Sequence, residues 1–242
     1  MNEFDLNCDL GEIDGPAGEL LDRAIIPLIR SANVACGAHA GSVQRMSLIA
    51  ELCRQHNVRF GAHPGYPDRA NFGRAELQMT DAELSRSLEE QLQLAKQVAE
   101  SAGVRLTHVK PHGALYNVAA QRRGVAELIV RSVREMTPGS ELYGLSGSVL
   151  ISVAKEHGLS TRCEVFADRN YLPNGTLMSR QHPDAVLHDP AMISERVKMM
   201  LQTSTVKTPC GVFVPVIPET VCVHSDTPES LDILRSLILK LR

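Results

Sequence analysis

The sequence predicts a parallel β/α barrel. Strand-like and helical stretches alternate about seven times, which implies parallel pairing through right-handed crossovers. Several strand candidates are near-continuous apolar runs, the pattern of strands covered on both faces. Polar residues of useful chemistry follow most of those strands, and a barrel gathers such residues at its C-terminal strand ends. The competing arrangement is an open doubly wound sheet. No GxGxxG follows the first strand, which counts against a dinucleotide fold. The 242 residues contain no internal repeat, low-complexity tract or linker, so one domain over residues 1–242 is expected.

The elements follow in order. Residues 4–10 read as the first strand, with Asp5, Asn7 and Asp9 on one face by two-residue alternation. Residues 32–36 and 58–62 read as the next two strands. Between them, a helix over 43–56 carries Met46, Ile49, Ala50 and Cys53 on one face. Thr80-Asp81-Ala82-Glu83 is a capping box, in which Thr80 accepts from the N3 amide and Glu83 reaches back. Leu84, Leu88, Leu92, Ala95, Val98 and Ala102 then recur at helical spacing until Gly103 ends the helix. A fourth strand at 106–110 precedes one long helix over 118–136. A short fifth strand at 142–145 leads to a helix over 148–157, a sixth strand at 161–166 and a helix over 190–202. A seventh strand at 220–224 and a helix over 228–241 complete the series. Asp226 is placed to cap that helix, with Pro228 in its first turn.

Composition narrows the function. The formal charge is −3, aromatics make up 4% and there is no Trp, so neither a nucleic-acid nor a membrane-surface partner is expected. No run approaches the ~18 apolar residues of a membrane span. Residues 1–5 lack the basic and then apolar character of a signal peptide. The six cysteines include no CxxC pair and read mostly as small core residues of a reducing, cytoplasmic compartment.

Three segments set a histidine among small or turn-forming residues: ACGAHAG at 35–41, GAHPGYP at 61–67 and HVKPHGA at 108–114. Each follows a strand candidate, which points to one site lined by strand ends. Asp5, Asn7 and Asp9 facing a barrel interior need partners, because an unpaired buried carboxylate is very costly. The plainer reading is an edge strand facing solvent, with Glu12 in a turn. Asp9, His39 and His63 follow the first three strands and form a common ligand set for zinc or another divalent first-row ion. The plainer reading has both histidines bonding structural loops. Lys110 closes an apolar strand, where it can hold a carboxylate or phosphate, or act as a base if its pKa is depressed. Pro111 fixes the backbone so that His112 projects from the next turn. The plainer reading of Lys110 is a snorkelling surface residue. Glu164, Asp168 and Arg169 suggest an ion-pair network, or an Arg169 that takes a substrate carboxylate bidentately. His224 faces the site from the last strand, whereas His56, His157 and His182 read as surface residues. No GxxxxGK[ST] sequence occurs, so any nucleotide site is not a P-loop.

These segments together resemble the LamB/YcsF family of bacterial 5-oxoprolinase A subunits. The matching runs are DLNCDLGE at 5–12, ANVACGAHAG at 32–41, GAHPGYPD at 61–68 with FGR at 72–74, HVKPHGALYN at 108–117, EVFADRNY at 164–171 and CVH at 222–224. They span nearly the whole chain in order. The sequence departs from the family's usual pattern at Ala38, Ser42-Val43, Asn174 and Ser225, positions that bear on finer substrate contacts. The resemblance implies a distorted seven-stranded β/α barrel similar to polysaccharide deacetylase-like hydrolases. It implies ATP-dependent opening of 5-oxo-L-proline to L-glutamate with subunits B and C, one of which can supply the ATP site. On that reading Lys110, His112, Asp9 and Asp168 are catalytic, and Asn7, Glu12, Arg169 and His224 contact substrate. Asp9, His39 and His63 are the candidate metal ligands, and a homo-oligomer is compatible. Two rivals are a stand-alone metal-dependent amide or carbohydrate N-acetyl hydrolase, and a non-catalytic substrate-binding subunit.

Overall fold

Seven parallel strands close on themselves around a polar interior. A computed structural model describes residues 4–241. In chain order the strands are β1 (Asp5–Leu10), β2 (Ser31–Ala35), β3 (Arg59–His63), β4 (Leu106–Val109), β5 (Glu141–Leu145), β6 (Thr161–Phe166), β7 (Thr205–Lys207), β8 (Phe213–Pro215) and β9 (Thr220–His224). Strands β1 to β6 pair each with the next, and β9 joins β6 back to β1, so the predicted seven-stranded parallel barrel is what the chain forms. Strands β7 and β8 form a separate antiparallel pair.

Among the described residues eight α-helices accompany the strands: α1 (Gly15–Ile25), α2 (Val43–His56), α3 (Asp81–Ala102), α4 (Gly113–Ala119), α5 (Arg123–Met136), α6 (Val149–Glu156), α7 (Pro190–Thr203) and α8 (Ser230–Leu241). The capping box of α3 is present in full, and Gly103 ends that helix in the left-handed conformation. Leu84, Leu88, Leu92, Ala95 and Val98 face the core. Burying a leucine side chain contributes roughly 1.5–3 kcal/mol, so this stripe anchors α3 to the barrel. No helix among the described residues is long and apolar enough to cross a membrane.

Three features differ from the sequence reading. The single helix over 118–136 is two helices, α4 and α5. The turn between them is tied down by Val149, whose amide donates to the Ala120 carbonyl. The last helix starts at Ser230, and Asp226 serves two arginines, Arg74 and Arg180, instead of capping it. Helix α1 and the β7–β8 pair carry no strong sequence signal: α1 has no side-chain cap, and each of the two strands is three residues long.

The β3–β4 pairing shifts register between Phe60 and Gly61. A side chain at Gly61 would place its Cβ 2.1 Å from Nε2 of His108, so glycine there makes room for an imidazole inside the barrel. His108 is fully buried, stacks on Tyr143 with ring centroids 4.2 Å apart, and donates from Nε2 to Oδ1 of Asn33 at 2.8 Å. Burial, reinforced by the Arg59 charge, holds its pKa well below the ordinary histidine value. The unfolded chain takes up this proton near pH 6.5, whereas the folded chain does not. The linked stability is therefore fully present above that pH and is lost as pH falls below it. Between pH 7 and pH 5 the wild type is expected to lose about 1–2 kcal/mol more than His108→Gln, measured by urea unfolding at both pH values. Equal losses would show that His108 does not titrate this way.

Candidate active site

Asp9 of β1 lines the floor of a cleft at the C-terminal end of the barrel. Asn7 and Asp9 point inward beside Asn33 of β2, which donates to Oδ1 of both at 2.8 Å. Lys110 follows β4 and is 1% exposed. Its ammonium lies 2.8 Å from Oδ1 of Asp9, 2.9 Å from Oε1 of Glu164 and 3.1 Å from Sγ of Cys222. Asn7 Nδ2 and the Tyr116 hydroxyl also donate to Glu164, at 3.0 and 2.8 Å. Lys110 is thus a buried member of a charge network, not a snorkelling surface residue.

Burial alone would drive the proton off Lys110, but the carboxylates outweigh it and hold its pKa well above the ordinary lysine value. That excludes a neutral, basic Lys110. Burial likewise opposes ionisation of Asp9, and the charges of His63 and Lys110 reverse this and keep it a carboxylate. Burial pushes the Cys222 thiol up, so the counter-charges to Lys110 are Asp9 and Glu164.

A second cluster lies beside the first. Nε2 of His63 is 3.4 Å from Oδ2 of Asp9. Nδ1 of His112 is 3.0 Å from both Nε2 of His63 and Oε1 of Glu12. His39 stacks on His112 with centroids 3.7 Å apart and turns Nε2 to Glu12 at 3.3 Å. The structure therefore brings Asp9, His39 and His63 together, as strand-end positions suggest, but His39 addresses Glu12 and not Asp9.

Across the cleft, Asp168 is fully buried and accepts from both the backbone amide of His224 at 3.1 Å and its Nδ1 at 3.0 Å. Burial pushes the Asp168 pKa up and the His224 contacts more than offset it, for a net lowering. The expected network of Glu164, Asp168 and Arg169 does not form: Glu164 pairs with Lys110 and Asp168 with His224. Arg169 instead donates to the carbonyls of Ala185 at 3.3 Å and Met178 at 2.6 Å, holding the loop that walls the cleft. Burial lowers its pKa to about 10. The cleft has a volume of about 690 Å³, and Asp9, His63, Lys110, His112, Arg169 and His224 all line it, with Arg74 and Arg180 among the other lining residues.

Sequence reasoning missed Asn33, His108, Tyr116, Cys222 and Arg180 as contributors. His108 carried a usable signal, since it lies two residues before Lys110 in the same extended run.

A model of the LamB/YcsF family matches residues 4–242. The chain belongs to the LamB/YcsF family. Its relatives include 5-oxoprolinase A subunits from two bacteria. It is 41% identical over 231 residues to that of Neisseria meningitidis serogroup C (strain 053442), covering 96% of this chain and 92% of that one. It is 37% identical over 241 residues to that of Haemophilus influenzae (strain PittEE), covering 100% and 96%. The crystal structure of a lactam utilization protein from Thermus thermophilus superposes with a TM-score of 0.89 at 35% identity, covering 99% of this chain and 96% of that one.

Two departures from the usual family pattern now have a structural setting. The Ser225 hydroxyl donates to the carbonyl of Asp9 at 2.5 Å, a tie that glycine cannot make. Asn174 lines the cleft and accepts from the amide and hydroxyl of Thr176 at 3.1 and 2.7 Å.

Proposed function

We propose that this chain is a component of an ATP-dependent 5-oxoprolinase that opens the lactam of 5-oxo-L-proline to L-glutamate, working with partner subunits B and C. The observation that carries the reading is the fixed ammonium of Lys110 at the base of the cleft, in a chain whose relatives at about 40% identity are named as 5-oxoprolinase A subunits. Lactam hydrolysis is poorly driven, because glutamate's amine and side-chain carboxyl are tethered and ring closure has a high effective molarity. Coupling to ATP, through phosphorylation of the amide oxygen, makes opening downhill. In this scheme one of the partners binds ATP. All six cysteines are free thiols, which suits a cytoplasmic setting.

The chain's residues have defined roles in the scheme. Lys110 already has acceptors in Asp9, Glu164, Asn7 and Cys222, of which the Cys222 sulfur is the weakest. The lactam oxygen takes that place and receives charge stabilisation as the carbonyl carbon becomes tetrahedral. Asp168 holds Nδ1–H of His224, which leaves Nε2 to accept a proton from attacking water and pass it to the ring nitrogen as the C–N bond breaks; the γ-glutamyl phosphate so formed is hydrolysed by a second water to glutamate and inorganic phosphate. Arg169 shapes the wall that receives the substrate carboxylate, beside Arg74 and Arg180, whereas Asn7 and Glu12 do not line the cleft.

The test is glutamate release from 5-oxoproline with the chain, subunits B and C and ATP, each omitted in turn. Product is expected only with the full set. Robust ATP-dependent glutamate formation by the chain alone would refute the multi-subunit reading.

A further inference from the structure

The histidine cluster directs three donor atoms at one point. Nδ1 of His63 lies 2.7 Å from the carbonyl oxygen of Lys110. Nε2 of His112 lies 2.9 Å from the carbonyl oxygen of Phe72. A carbonyl only accepts, so each of those ring nitrogens carries the proton of its imidazole. The remaining nitrogens, Nε2 of His63 and Nδ1 of His112, then face each other at 3.0 Å. Oε1 of Glu12 completes the triangle, 3.0 Å from one and 3.7 Å from the other. Three such donor atoms directed at one point are held together by a positive species among them, a proton on His63 or a metal ion.

The surroundings hold the bases in place. A Cβ at Gly65 would come within 2.8 Å of His39 Nδ1, and one at Gly73 within 2.8 Å of the His39 Cβ and 3.0 Å of the His112 ring. The backbone thus clamps the imidazole stack. His39 directs its Nε2 at Glu12 and fixes that carboxylate. The carbonyl partners of His63 and His112 are the kind of outer contacts that orient metal-bound imidazoles.

A neighbouring donor set shows the contrast. Asp9, Cys222 and His224 also converge. There the Lys110 ammonium lies 2.8 Å from Asp9 and 3.1 Å from Cys222, so that site already contains its cation. Among the described residues, Glu12 of the triangle pairs with the imidazoles of His39, His63 and His112.

We infer that Glu12, His63 and His112 form a site for one divalent transition-metal ion of the zinc class. The donor separations of 3.0, 3.0 and 3.7 Å bracket the edge of about 3.3 Å for a tetrahedron with bonds of ~2.0–2.1 Å. Two imidazoles with carboxylate oxygen suit zinc, and disfavour magnesium, which prefers an all-oxygen octahedral shell. His63, His112 and Asp9 line the cleft, so an ion there retains a side open to a small ligand. The site goes beyond the lactam-opening reading and does not depend on it.

The test uses the full chain, stripped with a chelator and titrated separately with Zn²⁺ and Mg²⁺, without ATP or partner subunits. Bound metal is counted after gel filtration. One Zn²⁺ per chain is expected, with no retained Mg²⁺. Glu12→Gln and His112→Gln are each expected to weaken Zn²⁺ binding by at least ~10-fold. The exposed-site control His157→Gln should bind like wild type. Binding that survives both substitutions, or a wild type that retains no Zn²⁺, would overturn the assignment. If either variant fails to fold, the wild type decides through ¹⁵N NMR of its imidazoles. Zn²⁺ is expected to shift Nε2 of His63 and Nδ1 of His112, and unchanged resonances would sink the site. Since no turnover is measured, failure here is distinguishable from failure of the 5-oxoprolinase reading.

Discussion

Lys110→Met is expected to lower turnover at least ~100-fold, the scale of removing one oxyanion donor from a preorganised site. Methionine keeps an unbranched stem and removes the charge. The structure adds a consequence that chain position alone does not reveal. Asp9 and Glu164 both rest on this ammonium, at 2.8 and 2.9 Å, and both are buried. Removing it leaves Glu164 with neutral donors and Asp9 with His63 as its nearest charged partner, and breaking a buried ion pair in this way costs about 3–5 kcal/mol. The variant should therefore be both slow and less stable. The double variant Lys110→Met/Glu164→Gln separates the two effects. It removes one orphaned charge, while the amide can still bond Asn7 and Tyr116. It should recover part of the stability, read by urea unfolding, and none of the turnover, read as ATP-dependent glutamate release with subunits B and C. A folded Lys110→Met chain with a near-normal rate would move the chemistry to His112 or to a partner.

Much of this site is legible in the chain because barrels put strand ends together. Asp9, His63, Lys110 and His224 each sit at or just past a strand end. Parallel pairing such as Asp9 with Asn33 and Asp9 with His224 brings those ends to one rim. What the sequence conceals depends on side-chain direction and on contacts between distant segments. Asp168 and Arg169 are neighbours, so an ion-pair network looks natural on paper. The chain bends at Asp168 just past β6, and the two side chains serve different partners. Tyr116 reaches Glu164 across 48 positions, and nothing local in its helix marks the contact. The opposed nitrogens of His63 and His112 are hidden for a further reason. Their orientation is set by the carbonyls of Lys110 and Phe72, which only the closed barrel positions. His108 depends equally on the missing side chain of Gly61. Loop residues such as Glu12 are legible as polar, but their partners are not.

Asp168→Asn is expected to reduce kcat by about 10²–10⁴-fold with little change in KM. Asp168 makes two contacts with the same residue, to the backbone amide and to Nδ1 of His224. Together they fix the ring plane and place the proton on Nδ1, so that Nε2 carries the lone pair facing the cleft. An asparagine retains the shape and one acceptor. It also presents an NH₂ group, which can favour the opposite tautomer and turn Nε2 into a donor. The imidazole then remains in place but cannot take a proton from water. The depressed pKa of Asp168 keeps the native carboxylate charged across the neutral range, so the wild type holds this tautomer throughout. A structural role predicts something different, namely lost thermal stability with kcat preserved. The decisive comparison is a double-mutant cycle with His224→Gln. Two residues acting as one proton-transfer unit lose their effect together, so the double variant should be no slower than the slower single variant. Losses in kcat that simply multiply would show that Asp168 and His224 work independently, and the water-activating role would have to pass to another base in the cleft.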